Sequence, residues 1–225
     1  MINLVTVCTD AYPIVYAEKL HKRFSELTNL QVRHFCLTDR PHEVGGWATP
    51  IDPFIKSTGW WNKINVYHRE MPAGFILYMD LDIVLLKNFD REILFMQSRA
   101  EAISCVSDAI GWHGVQFSSS LMGFESGVHH QIFEAFQSNS SKLLNFEGGD
   151  QVWTGPQLDS IYFVDRDFPN LKKNLKFHLA TREGNNYKIP TSISEDVKLV
   201  DCGGRPKPHE LSSVPYIKSN WHDIR

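Results

Sequence analysis

The 225-residue sequence predicts an α/β fold, with a mostly parallel central sheet flanked by helices. Three observations carry that expectation. Short apolar runs at residues 2–8, 32–37 and 75–79 have the length and composition of buried strands. The first two flank a segment of helical periodicity, an alternation that goes with parallel strands. Polar turns follow at the carboxyl ends, where open α/β sheets bind their ligands.

The elements follow in order. Thr9, Asp10, Ala11, Tyr12 and Pro13 form a turn after the first strand, and Pro13 suits the opening of a helix running to about Leu27. Ile14, Ala17, Leu20, His21, Phe24 and Leu27 recur at helical spacing and give that helix a core face. Residues 42–59 are rich in Gly and Pro and read as a loop; residues 60–68 read as a helix feeding the central strand. After a second apolar run at 83–86 come a short helix (89–96), a strand (102–106), a loop (107–116) and another strand (117–124). Residues 128–144 form an amphipathic helix with Ile132, Phe133, Phe136, Leu143 and Leu144 on its apolar side. A short strand at 161–164, a lysine-dense passage with Lys172, Lys173 and Lys176, and a last strand at 197–200 complete the chain. The lysine passage reads as a solvated face. The length suits one domain spanning residues 1–225.

Composition narrows the function classes. Hydrophobic content of 42% and charged content of 22% are those of a globular protein. A formal net charge of −3 supplies no basic field for nucleic acid. Cys8, Cys36, Cys105 and Cys202 are widely spaced, without a Cys-x-x-Cys pair, so buried free thiols are expected. No integral membrane segment or cleavable signal is visible, and a cytoplasmic location is expected. Oligomeric state is not legible.

The chemistry concentrates where the central strand ends. Asp80 and Asp82 stand two residues apart within hydrophobic sequence, a costly arrangement without compensating charge. A hard divalent cation such as Mn²⁺ or Mg²⁺ supplies that charge and leaves positions for substrate phosphates. Near the other end, Gly203, Gly204, Arg205, Pro206, Lys207 and Pro208 combine close backbone approach with cationic side chains suited to phosphate. With these features the chain resembles the GT-A glycosyltransferases, a Rossmann-like fold for nucleotide-diphospho-sugar transfer, and most closely the retaining family 8 branch and its bacterial relatives.

The resemblance covers nearly the whole chain and implies a set of site residues. Its first turn, Thr9, Asp10 and Tyr12 here, contacts the nucleotide, although Asp10 reads equally as a helix cap. Lys63 stands where the family carries a basic donor contact, and Trp60 and Trp61 suit either core or sugar platform. Ser118, Ser119 and Ser120 replace the family's Asn-Ser start on the sugar-pocket strand, so hydroxyl hydrogen bonds replace an amide contact. Asp150 and Gln151 match an Asp-Gln pair beside the reaction centre and are the candidate catalytic residues. Gly204 and Lys207 match the glycine and lysine that meet the diphosphate. The family's metal-binding histidine is absent; Asp201 stands at one of its two spacings and completes a candidate metal set with Asp80 and Asp82, ahead of His209. Lys176 and His178 are secondary candidates for phosphate or acceptor.

The implied function is metal-dependent transfer of a hexose from a nucleotide sugar, with UDP as the expected nucleotide, to a hydroxyl acceptor. The competing readings are a nucleotidyltransferase or metal-dependent phosphohydrolase using the same carboxylates, and a non-catalytic nucleotide-sugar binding protein. Neither the donor sugar nor the acceptor is legible.

Overall fold

The structure is a computed structural model describing all residues except Ala11, Ile110, Leu144, Gly184, Asn185 and Arg225. The expectations for Ala11 in the first turn, Ile110 in its loop and Leu144 on its helix therefore lie outside the described residues. The chain opens with β1 (Ile2–Val7), α1 (Val15–Leu27), β2 (Val32–Leu37) and β3 (Thr49–Ile51). Then come β4 (Phe75–Met79), β5 (Ile83–Leu85), α2 (Asp90–Gln97), β6 (Ile103–Ser107) and β7 (Phe117–Glu125). The remainder is α3 (His130–Leu143), α4 (Gly149–Thr154), β8 (Ile161–Phe163), β9 (Lys172–Asn174), β10 (Thr181–Glu183), β11 (Asn186–Lys188) and β12 (Leu199–Asp201).

The seven-stranded central sheet has the order β3-β2-β1-β4-β7-β6-β8. Strands β3, β2, β1 and β4 pair in parallel, whereas β7 runs antiparallel to both its neighbours. That single reversal brings the start of β7 beside the carboxyl ends of β4 and β6, with Leu121 opposite Met79 and Phe117 opposite Ser107. A second sheet, β5-β12-β9, lies downstream of β4, and β10-β11 form a hairpin.

Alternation on the central strands sends side chains to two cores. From β4, Ile76 and Tyr78 join Trp61, Ile64, Phe133 and Phe136 on one face. Phe75, Leu77 and Met79 join Leu20, Phe24, Ile93 and Met96 on the other. Burying each such side chain contributes about 1.5–3 kcal/mol. A third cluster ties Tyr16 and Ala17 of α1 to Val200, Ile217 and Trp221 near the C-terminus. All four cysteines are buried and free.

Three local expectations change. The stretch 60–68 forms 3₁₀ turns over Gly59–Tyr67 rather than an α-helix. There the Asn62 and Asn65 side chains accept the Ser57 and Ile55 amides, and such side-chain bonds compete with regular helix. The Gly/Pro-rich loop contains β3, where Pro50 is tolerated because the strand lies at the sheet edge. The lysine passage is not a solvated face at Lys172, which is buried in β9 against β12.

Candidate active site

The site forms where several strand ends converge. Asp80 follows β4, and its amide donates to the Ser120 carbonyl at 2.8 Å, extending the β4–β7 ladder past the last strand residue. Asp82 precedes β5, and its carbonyl accepts from the Cys202 amide at 3.0 Å, just after β12. The Asp-x-Asp segment is thereby clamped between two sheets.

Serine alternation on β7 divides the polar groups. Ser119 points to one side, donating to Asp150 Oδ2 at 2.9 Å and accepting from Lys63 Nζ at 3.1 Å. Ser118 and Ser120 point to the other, where their hydroxyls lie 3.0 Å apart and both accept from Lys172 Nζ. Three successive hydroxyls thus serve two charge clusters.

Each cluster pairs lysines with carboxylates. Lys63 Nζ lies 2.9 Å from Asp80 Oδ2 and 3.8 Å from Asp150 Oδ2, while the Tyr78 hydroxyl donates to Asp80 Oδ1 at 2.6 Å. Lys207 Nζ lies 2.6 Å from Asp82 Oδ2, and the Tyr12 hydroxyl donates to the same oxygen at 3.0 Å. Lys172 Nζ lies 2.7 Å from Asp201 Oδ2, with both side chains over nine-tenths buried. The remaining oxygen, Asp201 Oδ1, accepts from the Gly203 amide at 2.8 Å. The titration behaviour follows. Burial would lower the Lys63 ammonium, but Asp150 and Asp80 outweigh it and hold its pKa above the ordinary value. Burial raises Asp82, helped by Asp80 and Asp201 and opposed by Lys207. Burial would also raise Asp201, but Lys172 overcomes it and keeps the carboxyl low. Burial, then the charge of Asp82, pushes the Tyr16 phenol up to about 12.

Two cavities meet at these residues. One, of about 810 Å³, is lined by Thr9, Tyr12, Tyr16, Asp82, Lys207 and His209 among others. The other, of about 560 Å³, is lined by Ser118, Ser119, Asp150, Gln151, Asn174 and Phe177 among others. Trp60, Lys63, Asp80, Gly203 and Gly204 border both. Positive φ at Gly204 (+76°) turns the backbone there, and a Cβ on this residue would lie 2.5 Å from Lys176 Nζ.

Of the residues expected from sequence, Thr9, Tyr12, Lys63, Asp80, Asp82, Gly204 and Lys207 border the larger cavity. Asp150, Gln151 and Asp201 border the smaller one. Asp10 is exposed, lines neither cavity, and accepts from the Thr9 hydroxyl at 3.2 Å. Trp60 is 60% exposed at the shared rim, whereas Trp61 is core. Gln151 Oε1 accepts from the Ser119 amide at 3.3 Å, and its Nε2 donates to Asp108. Sequence reasoning missed Lys172 and Tyr78. The signal for Tyr78 was its place two residues before Asp80, on the same face of an extended strand. Nothing local marked Lys172.

The carboxylates expected to hold a divalent cation do not fit that role as a set. Asp80, Asp82 and Asp201 each have their own ammonium, and both Asp201 oxygens are taken. Among the described residues, no group of three or more His, Cys, Asp or Glu side chains is arranged to hold an ion. Asp80, Asp82 and Asp201 instead stand in three lysine–aspartate pairs, with Lys63, Lys207 and Lys172. His209, the alternative to the missing histidine, contacts the Tyr16 hydroxyl through Nδ1.

Comparison with solved structures identifies the architecture. The galactosyltransferase LgtC, solved with donor and acceptor sugar analogs, matches with a TM-score of 0.66 over 99% of this chain and 96% of its own, at 12% identity. The fold is that of the GT-A glycosyltransferases. GlyE of Streptococcus pneumoniae TIGR4 shares the GT-A fold at a TM-score of 0.67 and 16% identity, over all of this chain and 63% of its own. The bifunctional glycosyltransferase WbbM matches at 0.65 and 10% identity, with 99% of this chain covering half of its length. No protein-family model matches the sequence, and no curated protein matches it. Within the described residues, no helix of this GT-A fold is long and apolar enough to cross a membrane.

Proposed function

We propose that the chain is a glycosyltransferase moving a hexose from a nucleotide-diphosphate sugar, with UDP as the nucleotide, to a hydroxyl acceptor. The observation that carries this reading is the pair of cavities meeting at Lys63, Asp80, Gly203 and Gly204. The larger cavity, with Tyr12, Tyr16 and Trp60, suits a base and ribose; the smaller, with its hydroxyls and carboxylates, suits sugars. A diphosphate across the junction would meet Lys207 and Lys63. Their charges would stabilise the departing UDP as the glycosidic bond breaks, a preorganised electrostatic contribution. Asp150, oriented by Ser119, and Gln151, oriented by the Ser119 amide and Asp108, would lie beside the anomeric carbon. An active-site glutamine was likewise the residue altered to glutamate in an LgtC mutant structure. Retention of configuration rests on the family 8 resemblance.

The test is release of UDP from a panel of UDP-hexoses, with and without simple sugar acceptors. The expected outcome is UDP release from at least one donor, lost in Asp150→Asn while calorimetric UDP binding persists. Cleavage of nucleoside triphosphates or phosphoesters without release of UDP from any sugar donor would move the site to the phosphohydrolase reading.

A further inference from the structure

The carboxylates at the neck between the cavities are paired with lysines of the protein itself. Four carboxylates stand there, Asp80, Asp82, Asp150 and Asp201, and three ammoniums pair with them: Lys63, Lys172 and Lys207. A fourth ammonium, Lys176, has no carboxylate partner among the described residues. Its Nζ crowds the glycine turn, within 2.5 Å of the point where a Cβ on Gly204 would sit. Three of these ammoniums are therefore paired before any ligand arrives, while Lys176, beside the glycine turn, has no ion pair among the described residues and can receive an anion.

The Lys172–Asp201 pair is the decisive element. Asp201 stands at a spacing that the family resemblance gives to a metal-binding histidine, yet its two oxygens face Lys172, Ser120 and the Gly203 amide. To use Asp201, a divalent ion would have to displace a buried ammonium and leave it without a carboxylate, a strongly unfavourable exchange. Lys172 is held in place by Ser118 and Ser120 as well as Asp201, so its withdrawal would break three contacts together. Gly203 and Gly204, on the other side of the pair, border both cavities. Lys207 and Lys176 thus flank the backbone turn that a bridging diphosphate would cross.

We propose that this site binds its donor diphosphate through lysine ammoniums, Lys207 and Lys176 directly, without a divalent metal ion, the Lys172–Asp201 pair standing in place of the third metal ligand. The inference rests on the glycosyltransferase reading of the same site. In chemical terms the donor's two phosphates exchange part of their hydration for ammonium contacts, and Lys207 keeps its bond to Asp82 while turning another of its N–H groups toward the ligand. Lysine acts there as a compact, mobile charge with three donors.

The experiment is calorimetric titration of the full chain with UDP, once in EDTA and once in excess Mn²⁺ at matched ionic strength. Affinities within about threefold of each other are expected, together with at least tenfold weaker binding by Lys176→Met in EDTA. Lys176 is a partly exposed side chain without a buried partner, so its replacement leaves the fold intact. A larger gain than threefold in Mn²⁺ overturns the inference and leaves the nucleotide reading standing. Unchanged affinity in Lys176→Met overturns it too, by removing the direct contact. Absence of UDP binding in both buffers overturns the glycosyltransferase reading itself, and this inference with it.

Discussion

At the scale of single residues, the site is a problem of solvating charge. Asp201 is buried, and Lys172 compensates it with good geometry and supporting hydroxyls. Breaking such a pair from one side costs more than the pair contributes, because the partner stays buried without an opposite charge. Asp201→Asn should therefore destabilise the fold by about 3–5 kcal/mol, read as a lower urea midpoint. Lys63 lies between Asp80 and Asp150, where its charge faces the neck. In Lys63→Met, UDP release from a sugar donor should fall about 10²-fold or more, the scale of losing one preorganised stabilising group. A rate within a factor of two of wild type would remove Lys63 from the transfer step.

At the scale of elements, packing and end contacts hold the supports of the site. Gly123 of β7 lies against α2 and β4, and a Cβ there would come within 2.6 Å of Phe75 Cζ and 2.8 Å of Met96 Cε. Gly123→Ala should cost about 1–3 kcal/mol by overpacking, seen in equilibrium unfolding. Asp90 opens α2 and ties it to the end of α1: its carboxylate accepts from the Thr28 hydroxyl at 2.6 Å, the Asn29 amide at 2.8 Å and Asn88 Nδ2 at 2.8 Å. Burial would raise its pKa, but these bonds outweigh it and hold the carboxyl below its ordinary value. A depressed folded pKa contributes stability that is present above the unfolded value and lost as pH falls through the folded one. Asp90→Ala should thus lower stability by about 1 kcal/mol at neutral pH, a figure already reduced for its exposure. The gap between variant and wild type should close in acid, when urea midpoints are compared below the carboxylate range.

At the scale of the whole molecule, the two large cores share strands. Val5, Ile76 and Tyr78 face one core, and Leu4, Leu77 and Met79 the other, from the same β1 and β4. Loss of either core would expose a face of the same sheet, so we expect residues 1–225 to unfold as one cooperative unit. Tryptophan fluorescence and far-UV circular dichroism should then give coincident denaturation curves; separated midpoints would mean independent parts.

Much of this architecture was legible in the chain. Phe75–Met79 and Val32–Leu37 have the bounds that their apolar runs imply, because short runs ended by Gly, Pro or charge leave little choice of limits. Asp80, Asp82, Asp150, Gln151, Gly204 and Lys207 were recognisable because their spacing from these strands is local, and they do gather around the cleft. Asp10 is exposed outside both cavities, because a polar turn residue can face solvent as readily as ligand. Lys172 and Asp201 are a different matter. A lysine next to another lysine reads as surface, and only pairing of β9 with β12 beneath the serines of β7 makes it an interior counter-ion, 29 residues from its partner. The sequence by itself determined the order of strands, the turns at their ends and the residue types available there. Tertiary structure alone decided which carboxylate meets which ammonium, because burial, which governs whether a charge needs a metal, a lysine or only water, belongs to the packed molecule and not to its neighbours along the chain.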